Sequence, residues 1–184
     1  MVEYMRKRGK KMAKLIIYGS QYGVTKKYAE RLGEMTDTKV ISYQQAKDQL
    51  TDASLDTIVY MGSLYAGAAT GLKETAKLFP ENCKIIIVTV GLMSPELLDT
   101  NLKKSVQRQV PKDVFERAER FHLQGAIDYS ILSKKHKKMM GFLCNALKLK
   151  PKKTADDRAL IDSYNKSLYL VDFDKLEAIK RYLM

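Results

Sequence analysis

The stretch LIIYGSQYGVT, residues 15–25, decides the fold. Leu15–Tyr18 is a short apolar run that ends at Gly19, and the residues from Val24 to Met35 repeat apolar side chains at helical spacing. The stretch therefore predicts a strand, a tight loop and a helix. Because the loop is rich in hydroxyl groups and small residues, its backbone N–H groups and the start of the helix can together surround a phosphate.

The same alternation of apolar run and helical segment continues along the chain. Further strands are predicted at residues 39–43, 57–62, 84–91 and 121–127, and helices at residues 70–79 and 95–108. Strands that are apolar along their whole length are buried on both faces, and strands separated by helices are parallel. We therefore predict an α/β fold with a doubly wound parallel sheet.

The loop after the first strand contains no lysine. It matches neither the G-x-x-x-x-G-K-[ST] pattern of a P-loop nor the G-x-G-x-x-G fingerprint of dinucleotide binding. A phosphate that is held mainly by neutral donors is typical of a monophosphate cofactor. A simple turn followed by a helix N-cap uses the same residue types, so the loop alone leaves both interpretations open.

Two later loops leave the third and fourth predicted strands at the edge of the sheet where doubly wound proteins bind ligands. The first, residues 62–67, has glycines at both ends and contains Tyr65, whose ring can stack on a ligand or pack at the surface. The second, residues 89–94, contains Gly91, which permits close approach of a ligand to the backbone.

The net charge of +12 is unevenly distributed. Residues 1–14 carry six basic residues and one acidic residue, and residues 130–153 carry eight lysines and no acid. A nucleic-acid-binding protein usually spreads its basic residues over one folded face, so we expect no nucleic-acid partner. We interpret residues 1–11 as a disordered basic arm or a residual upstream extension, and residues 12–184 as one domain.

The two cysteines, Cys83 and Cys144, are too few for a disulfide framework, and the sequence has no metal-ligand spacing. We interpret both as buried packing residues, and His122, which lies inside an apolar strand, as a satisfied core residue. No run approaches the roughly 18 apolar residues that a membrane span needs. We therefore expect a cytoplasmic protein without a metal centre.

Residues 131–150 form a basic amphipathic segment. Its apolar stripe consists of Leu132, His136, Met139, Met140, Leu143, Ala146 and Leu147, and most of its lysines lie off this stripe. Such a helix can lie in an anionic membrane surface or cover a hydrophobic substrate. It can equally pack its stripe against the core and leave a solvated lysine face.

The segment IIYGSQYGVTKKYAERL resembles the FMN-phosphate loop of the flavodoxin superfamily, whose motif is S/T-x-T-G-x-T. Ser20, Gly23 and Thr25 match this motif, and Tyr22 departs from it at the central Thr. The resemblance implies a flavodoxin-like five-stranded sheet in the order 2-1-3-4-5, with helices on both faces and a helical insertion near strand five.

The resemblance also implies FMN as the cofactor. The residues implied to bind its phosphate are Ser20, Gln21, Tyr22, Gly23, Val24 and Thr25. Those implied to flank its ring are Gly62, Ser63, Leu64, Tyr65, Ala66 and Gly67 from one loop, and Thr89, Val90, Gly91 and Leu92 from the other. No catalytic side chain is implied, because the isoalloxazine carries the electrons.

Later segments, among them YMGSLYAGAATGLKETAKLF and FHLQGAIDYSILSKKHKKMM, are similar to the menaquinone-dependent protoporphyrinogen IX dehydrogenase family of this superfamily. Its members act in heme biosynthesis and carry an insertion near strand five that is associated with membrane and quinone access. Residues 131–150 occupy that place here. The similarity implies an FMN-dependent oxidoreductase with a small hydrophobic substrate and peripheral membrane contact through residues 131–150. The alternative is a flavodoxin-like electron-transfer protein that serves a redox partner protein.

Overall fold

The computed structural model describes residues 13–50, 55–65, 67–93 and 99–183. The predicted arm, residues 1–11, lies outside them. The strands are β1 (Lys14–Gly19), β2 (Lys39–Ser42), β3 (Thr57–Tyr65), β4 (Ala68–Ala69), β5 (Lys84–Gly91), β6 (Glu119–Gln124), β7 (Ala126–Ile127) and β8 (Leu168–Tyr169). The helices are α1 (Val24–Thr36), α2 (Ala46–Leu50), α3 (Leu72–Thr75), α4 (Asp99–Gln107), α5 (Lys112–Arg117), α6 (Lys134–Leu149), α7 (Ala155–Asp162) and α8 (Leu176–Leu183).

The main sheet has the order β2-β1-β3-β5-β6, and its five strands are parallel. The short β4 pairs antiparallel with the end of β3. When β4 is set aside, this order is the predicted 2-1-3-4-5, so the flavodoxin-like fold class is confirmed. The three central strands β1, β3 and β5 are buried along most of their length, as their continuous apolar runs require.

Each face of the sheet carries its own hydrophobic core. Because successive side chains of a strand point to opposite faces, neighbours in β1 belong to different cores. Ile16 packs with Val59 and Ile86 in the core that includes residues of α1 and α8. Ile17 packs in the opposite core, which includes residues of α2, α3, α4 and α5. The two cores fix the sheet and therefore the ends of its strands.

The predicted fifth strand, residues 121–127, is wrong in its extent. β6 ends at Gln124, and β7 pairs antiparallel with β8 in a separate two-stranded sheet. The change occurs at Gly125, whose N–H still donates to Gly91 O at 2.7 Å while its carbonyl accepts from Leu170 N at 2.9 Å. The backbone thus exchanges its partner in the main sheet for one near β8.

The segment from β7 to β8, residues 126–169, is called the insertion below. It has a small cluster of buried residues of its own: Ile127, Tyr129, Leu132, Met140 and Leu160. The predicted stripe of α6 is partly wrong, because Leu143 and Ala146 are exposed and Cys144 is buried in their place. The helix is turned about its axis relative to the predicted stripe, towards Cys144.

Asp174, with Glu177 three residues later, has the spacing of a capping box and predicts the start of the last helix. The last helical segment begins earlier than this prediction places it. The side chain of Asp172 accepts from Asp174 N at 3.0 Å, and a 3₁₀ turn at Phe173–Lys175 leads into α8. No helix in the described part of the chain is long and apolar enough to cross a membrane.

Candidate functional site

Three loops begin side by side at one edge of the main sheet. Gly19 at the end of β1 is in register with Gly62 of β3, which is in register with Thr89 of β5. Because the strands are parallel, the chain leaves all three at the same edge. The loops enclose a cavity of about 740 Å³, its open mouth included, which has the dimensions of a cofactor site.

The first loop, Ser20 to Gly23, folds back on itself before α1. Gly23 lies in the left-handed region with φ 89°, a conformation that a residue with a Cβ adopts only with strain. Its N–H donates to Ser20 Oγ at 3.1 Å. This turn directs the free N–H groups at the start of α1 towards the loop.

The donors of this loop fit a phosphate. Thr25 is 1% exposed and lines the cavity, so its hydroxyl can be reached by a ligand bound there. Ser20 and Gln21 line the same part of the cavity. Together with the positive end of the α1 dipole, these neutral donors suit a single phosphate group.

The second loop supplies an apolar and aromatic border. Ser63, Leu64 and Tyr65 line the cavity as the resemblance implies. The hydroxyl of Ser63 lies 2.9 Å from Thr70 Oγ1, so it fixes the loop. Gly62 is buried within β3, and Gly67 is exposed with its carbonyl bound by the Ser105 hydroxyl. The predicted Ala66 lies outside the described residues.

The third loop forms the opposite border. Val90, Gly91 and Leu92 line the cavity. A Cβ on Gly91 would lie 3.3 Å from His122 Cε1 and 3.4 Å from Leu64 Cδ1, so a larger residue would press the two loops apart. The predicted Thr89 is buried behind this border.

His122 of β6 anchors the third loop from behind. Its Nδ1 lies 2.8 Å from Thr89 Oγ1, and its Nε2 lies 3.1 Å from Met93 O. Burial lowers the pKa of His122 to about 4, so the ring is neutral at neutral pH. His122 is satisfied by hydrogen bonds on both ring nitrogens, as expected, but its side chain is half-buried and lies outside the two hydrophobic cores.

The insertion forms a fourth wall, which sequence reasoning did not assign to the site. The residues concerned are Ala126, Ile127, Asp128, Leu132, His136, Met139 and Met140, and Gly125 lines the cavity just before them. Four of them, Leu132, His136, Met139 and Met140, belong to the stripe that the helical spacing of residues 131–150 identified. The helical spacing of residues 131–150 was therefore the signal for this wall in the sequence, but spacing could not show that the stripe faces a ligand cavity.

The side chain of Tyr22, which stands in place of the central Thr of the loop motif, contacts the insertion. Its hydroxyl is hydrogen-bonded to His136 Nδ1, and Ser133 N approaches the same oxygen at 3.4 Å. Ser133 is the N-cap of α6 and accepts from His136 N at 3.2 Å. The side chain of Tyr22 thus holds the first turn of the insertion helix, while its backbone remains in the phosphate loop.

The ring of His136 is held on a second side by Tyr65. The two ring centroids lie 4.0 Å apart, and only 5% of His136 is exposed. Burial lowers the pKa of His136, and the positive charge of Lys135 adds to this effect. The imidazole therefore favours its neutral form at neutral pH.

Asp128 is fixed in the turn after β7. Its carboxylate accepts from Ser130 N at 2.8 Å, Ser130 Oγ at 2.7 Å and Ser167 Oγ at 3.1 Å. The hydrogen bonds from Ser130, together with that from Ser167, lower the pKa of Asp128. The carboxylate therefore stays charged at neutral pH. Its hydrogen bond with Ser167 joins the two ends of the insertion.

The fold and the site define the class of protein: a doubly wound α/β protein with a monophosphate-binding loop at the carboxyl edge of its sheet. Residues 15–154 match the model of the flavodoxin domain family. This match spans most of the chain, and the protein belongs to this family. A comparison with the curated proteins finds no match.

Several solved structures are similar to the chain at low identity. The Trp repressor binding protein from Bacillus subtilis is 11% identical, with a TM-score of 0.45 over 83% of this chain and 94% of that one. A flavoprotein in complex with FMN from Lactobacillus acidophilus is 14% identical, with a TM-score of 0.41 over 61% and 93%. A mutant flavodoxin from Pseudomonas aeruginosa is 16% identical, with a TM-score of 0.42 over 73% and 96%.

Family membership makes this chain an FMN-binding flavodoxin-like flavoprotein. The donor set agrees with that cofactor, since the loop from Ser20 to Thr25 suits one phosphate and the borders at residues 63–65 and 90–92 suit a flat ring. The roles of the individual residues remain predictions.

Proposed function

We propose that this flavoprotein is an FMN-dependent oxidoreductase of the protoporphyrinogen IX dehydrogenase type, which moves electrons from a reduced tetrapyrrole to a quinone. The observation that carries the proposal is the position of the insertion. Leu132, Met139 and Met140 add an apolar wall to the flavin cavity. An enclosed apolar wall suits a hydrophobic substrate, whereas an electron carrier needs an open ring edge for its partner protein.

In this proposal the FMN accepts and donates the electrons, and the chain supplies binding and access. Ser20, Thr25 and the start of α1 hold the phosphate. The borders from the second and third loops orient the ring. The apolar wall excludes water and contacts the hydrophobic substrate, and Asp128 holds the turn after β7 to Ser167.

The direct test is anaerobic oxidation of protoporphyrinogen IX by the FMN-loaded protein with menadione as electron acceptor. We expect porphyrin fluorescence to appear at a rate proportional to bound FMN. The Ser20→Ala/Thr25→Ala variant should bind FMN about 100-fold or more weakly, since each of the two lost bonds to a charged group costs about 1.5–3 kcal/mol. A loaded protein that leaves protoporphyrinogen unchanged but reduces cytochrome c would contradict the proposal and favour the electron carrier.

We further propose that the outward face of α6 touches an anionic membrane surface. Phe142 and Leu149 are 78% and 85% exposed. They lie seven residues apart, which places them on one side of the helix two turns from each other. The exposed Lys138 and Lys135 lie beside them on the same side. Two apolar side chains among lysines are typical of helices that lie in an anionic interface.

Flotation on vesicles of 30% phosphatidylserine tests this contact. We expect the FMN-loaded protein to float, and the Phe142→Ser/Leu149→Ser variant to remain in the soluble fraction with its FMN bound. Lys47→Gln, on α2, serves as the control because it changes a charge away from the insertion. Equal flotation of the wild type and the double variant would contradict the contact.

A further inference from the structure

His136, Tyr22 and Tyr65 come from three separate segments and meet at the cavity. His136 belongs to α6, Tyr22 to the phosphate loop and Tyr65 to the end of β3. The Tyr22 ring lies edge-on to the imidazole, with a centroid distance of 5.4 Å and an interplanar angle of 77°. The Tyr65 ring lies 4.0 Å away at 46°. The imidazole is thus confined by two aromatic rings and one hydrogen bond.

The two nitrogens of this imidazole differ in their surroundings. Nδ1 is hydrogen-bonded to the Tyr22 hydroxyl. Nε2 has no hydrogen-bond partner within residues 13–50, 55–65, 67–93 and 99–183. Since His136 lines the cavity, Nε2 is the nitrogen that remains for a bound molecule.

The cavity offers few other groups that can exchange a proton near neutral pH. Among the described residues, the ionisable side chains that line it are Tyr22, Tyr65, Asp128 and His136. The Asp128 carboxylate is occupied by Ser130 and Ser167 and stays ionised. Tyrosine ordinarily ionises near pH 10, whereas histidine changes charge between pH 5 and pH 8. The imidazole is the group suited to this task.

We propose that His136 exchanges the proton that accompanies two-electron transfer in this cavity, with Tyr22 as the residue that positions it. The inference rests on the proposed function. When the reduced substrate loses two hydrogens, one leaves as hydride for the flavin with both electrons. The other leaves as a proton, which Nε2 accepts. When the hydride passes on to the quinone, the imidazolium returns that proton to the hydroquinone anion, and the charge balance is restored.

The hydrogen bonds of Tyr22 suit both states of the ring. For Nε2 to accept a proton, Nδ1 must carry a hydrogen and donate it to the Tyr22 hydroxyl oxygen. That oxygen has two lone pairs, and Ser133 N can use the second. The same bond persists after protonation, so the imidazole keeps its orientation through both half-reactions. The neighbouring charge of Lys135 disfavours the imidazolium.

The kinetic test uses FMN-loaded protein that is reduced with dithionite and reoxidised anaerobically by menadione between pH 5 and pH 8.5. We expect the wild-type rate to fall as pH rises through the pKa of His136. His136→Gln should slow reoxidation about 100-fold and remove this pH dependence, since a positioned acid typically contributes that much. Tyr22→Phe should give a smaller loss with the pH dependence shifted. Lys137→Gln, on the exposed face of α6, is the matched control and should behave as wild type.

Nitrogen-15 NMR of the wild-type holoprotein gives a readout independent of turnover and of variant folding. The chain has only two histidines, so substitution of His122 assigns both signals. We expect His136 to show the Nδ1–H tautomer and to titrate over the pH range in which the reoxidation rate changes. A His136 signal that stays neutral throughout that range would overturn the inference, as would wild-type reoxidation by FMN-bound His136→Gln. Failure of the wild type to take up FMN would instead overturn the proposed function itself.

Discussion

The main sheet and the insertion enclose the same cavity, but they are held in place by different means. The sheet lies between two extensive cores, and its central side chains, such as Ile16, Val59 and Ile86, are fully buried. The insertion has a cluster of five buried residues around Met140. Its place over the cavity depends on a few polar contacts, above all the bond between Tyr22 and His136. One wall of the site is therefore fixed by packing, and the other by hydrogen bonds.

The largest expected effect comes from truncating one buried side chain in each region. Ile86→Ala removes a fully buried side chain between α1 and α8 and should lower the free energy of unfolding by about 2–5 kcal/mol. Met140→Ala removes a similar volume from the small cluster of the insertion. It should open α6 locally and leave global unfolding less affected. Urea denaturation gives the global value, and hydrogen exchange gives the local one. Equal global losses, without faster exchange in α6, would contradict the difference between the regions.

The next effect concerns a polar contact inside the insertion. Asp157 of α7 accepts from Lys150 Nζ at 2.6 Å and from Thr154 N at 2.7 Å, while its own N–H donates to Thr154 Oγ1 at 3.1 Å. Asp157→Ala leaves these donors without a partner and should cost α7 about 1–3 kcal/mol of local stability. Hydrogen exchange of α7 measures this loss. Asp162→Ala, at the exposed end of the same helix, is the control and should change little.

The same contact has a predictable pH dependence. The hydrogen bonds from Lys150 and Thr154 hold the pKa of Asp157 below its ordinary value. A carboxylate with a lowered folded-state pKa adds stability above its unfolded pKa, and this stability is lost as pH falls through the folded value. Protection of α7 amides should therefore be full at neutral pH and decrease below about pH 4. In Asp157→Ala this decrease should be absent.

A smaller effect tests the phosphate loop on the sheet side. Gly23 has φ 89° and an added Cβ would meet no atom within 4 Å, so Gly23→Ala introduces backbone strain without a clash. The expected cost is about 1–2 kcal/mol in the free energy of unfolding, with weaker FMN binding if the loop relaxes. Gly67→Ala, at φ 79°, is the matched control for strain alone, because Gly67 does not line the cavity although the resemblance implied that it would. Calorimetry with FMN and thermal denaturation measure the two quantities. Unchanged FMN affinity in a destabilised Gly23→Ala would contradict the role of the loop.

The difference between the regions also explains what the sequence could predict. Each central strand is a continuous apolar run, so the parallel sheet and the loops around Ser20, Tyr65 and Gly91 could be predicted from local patterns, whereas the strand order followed from the resemblance to the flavodoxin superfamily. The cavity wall from the insertion could not. The spacing of residues 131–150 identified a stripe, but several packing arrangements satisfy the same period. The contact between Tyr22 and His136 joins residues 114 positions apart, and no local pattern contains it.

The predicted end of the fifth strand was wrong for a related reason. The run through residues 121–127 is apolar enough to continue as one strand, and a local pattern has no means to show that the backbone changes partners at Gly125. The exchange depends on Leu170, which lies about 45 residues later in the chain. The predicted cap at Asp174 was wrong on a smaller scale: Asp172 caps the 3₁₀ turn, and Phe173 within that turn packs against Tyr28.

The smallest expected effect concerns His122, through which the sheet supports the third loop of the cavity. His122 is the sheet's histidine, held by Thr89 and Met93, and burial lowers its pKa to about 4. A base with a lowered folded-state pKa destabilises the fold as pH decreases, because the unfolded chain binds the proton first. Stability is therefore complete above about pH 6.5 and declines below it, by somewhat under 1 kcal/mol at about pH 6. Urea denaturation at pH 8 and pH 6 measures this change, and His122→Gln should abolish it. The NMR spectrum could instead show His122 with its ordinary pKa. The third loop would then be anchored less firmly than its hydrogen bonds indicate, and the sheet side of the site would resemble the insertion side.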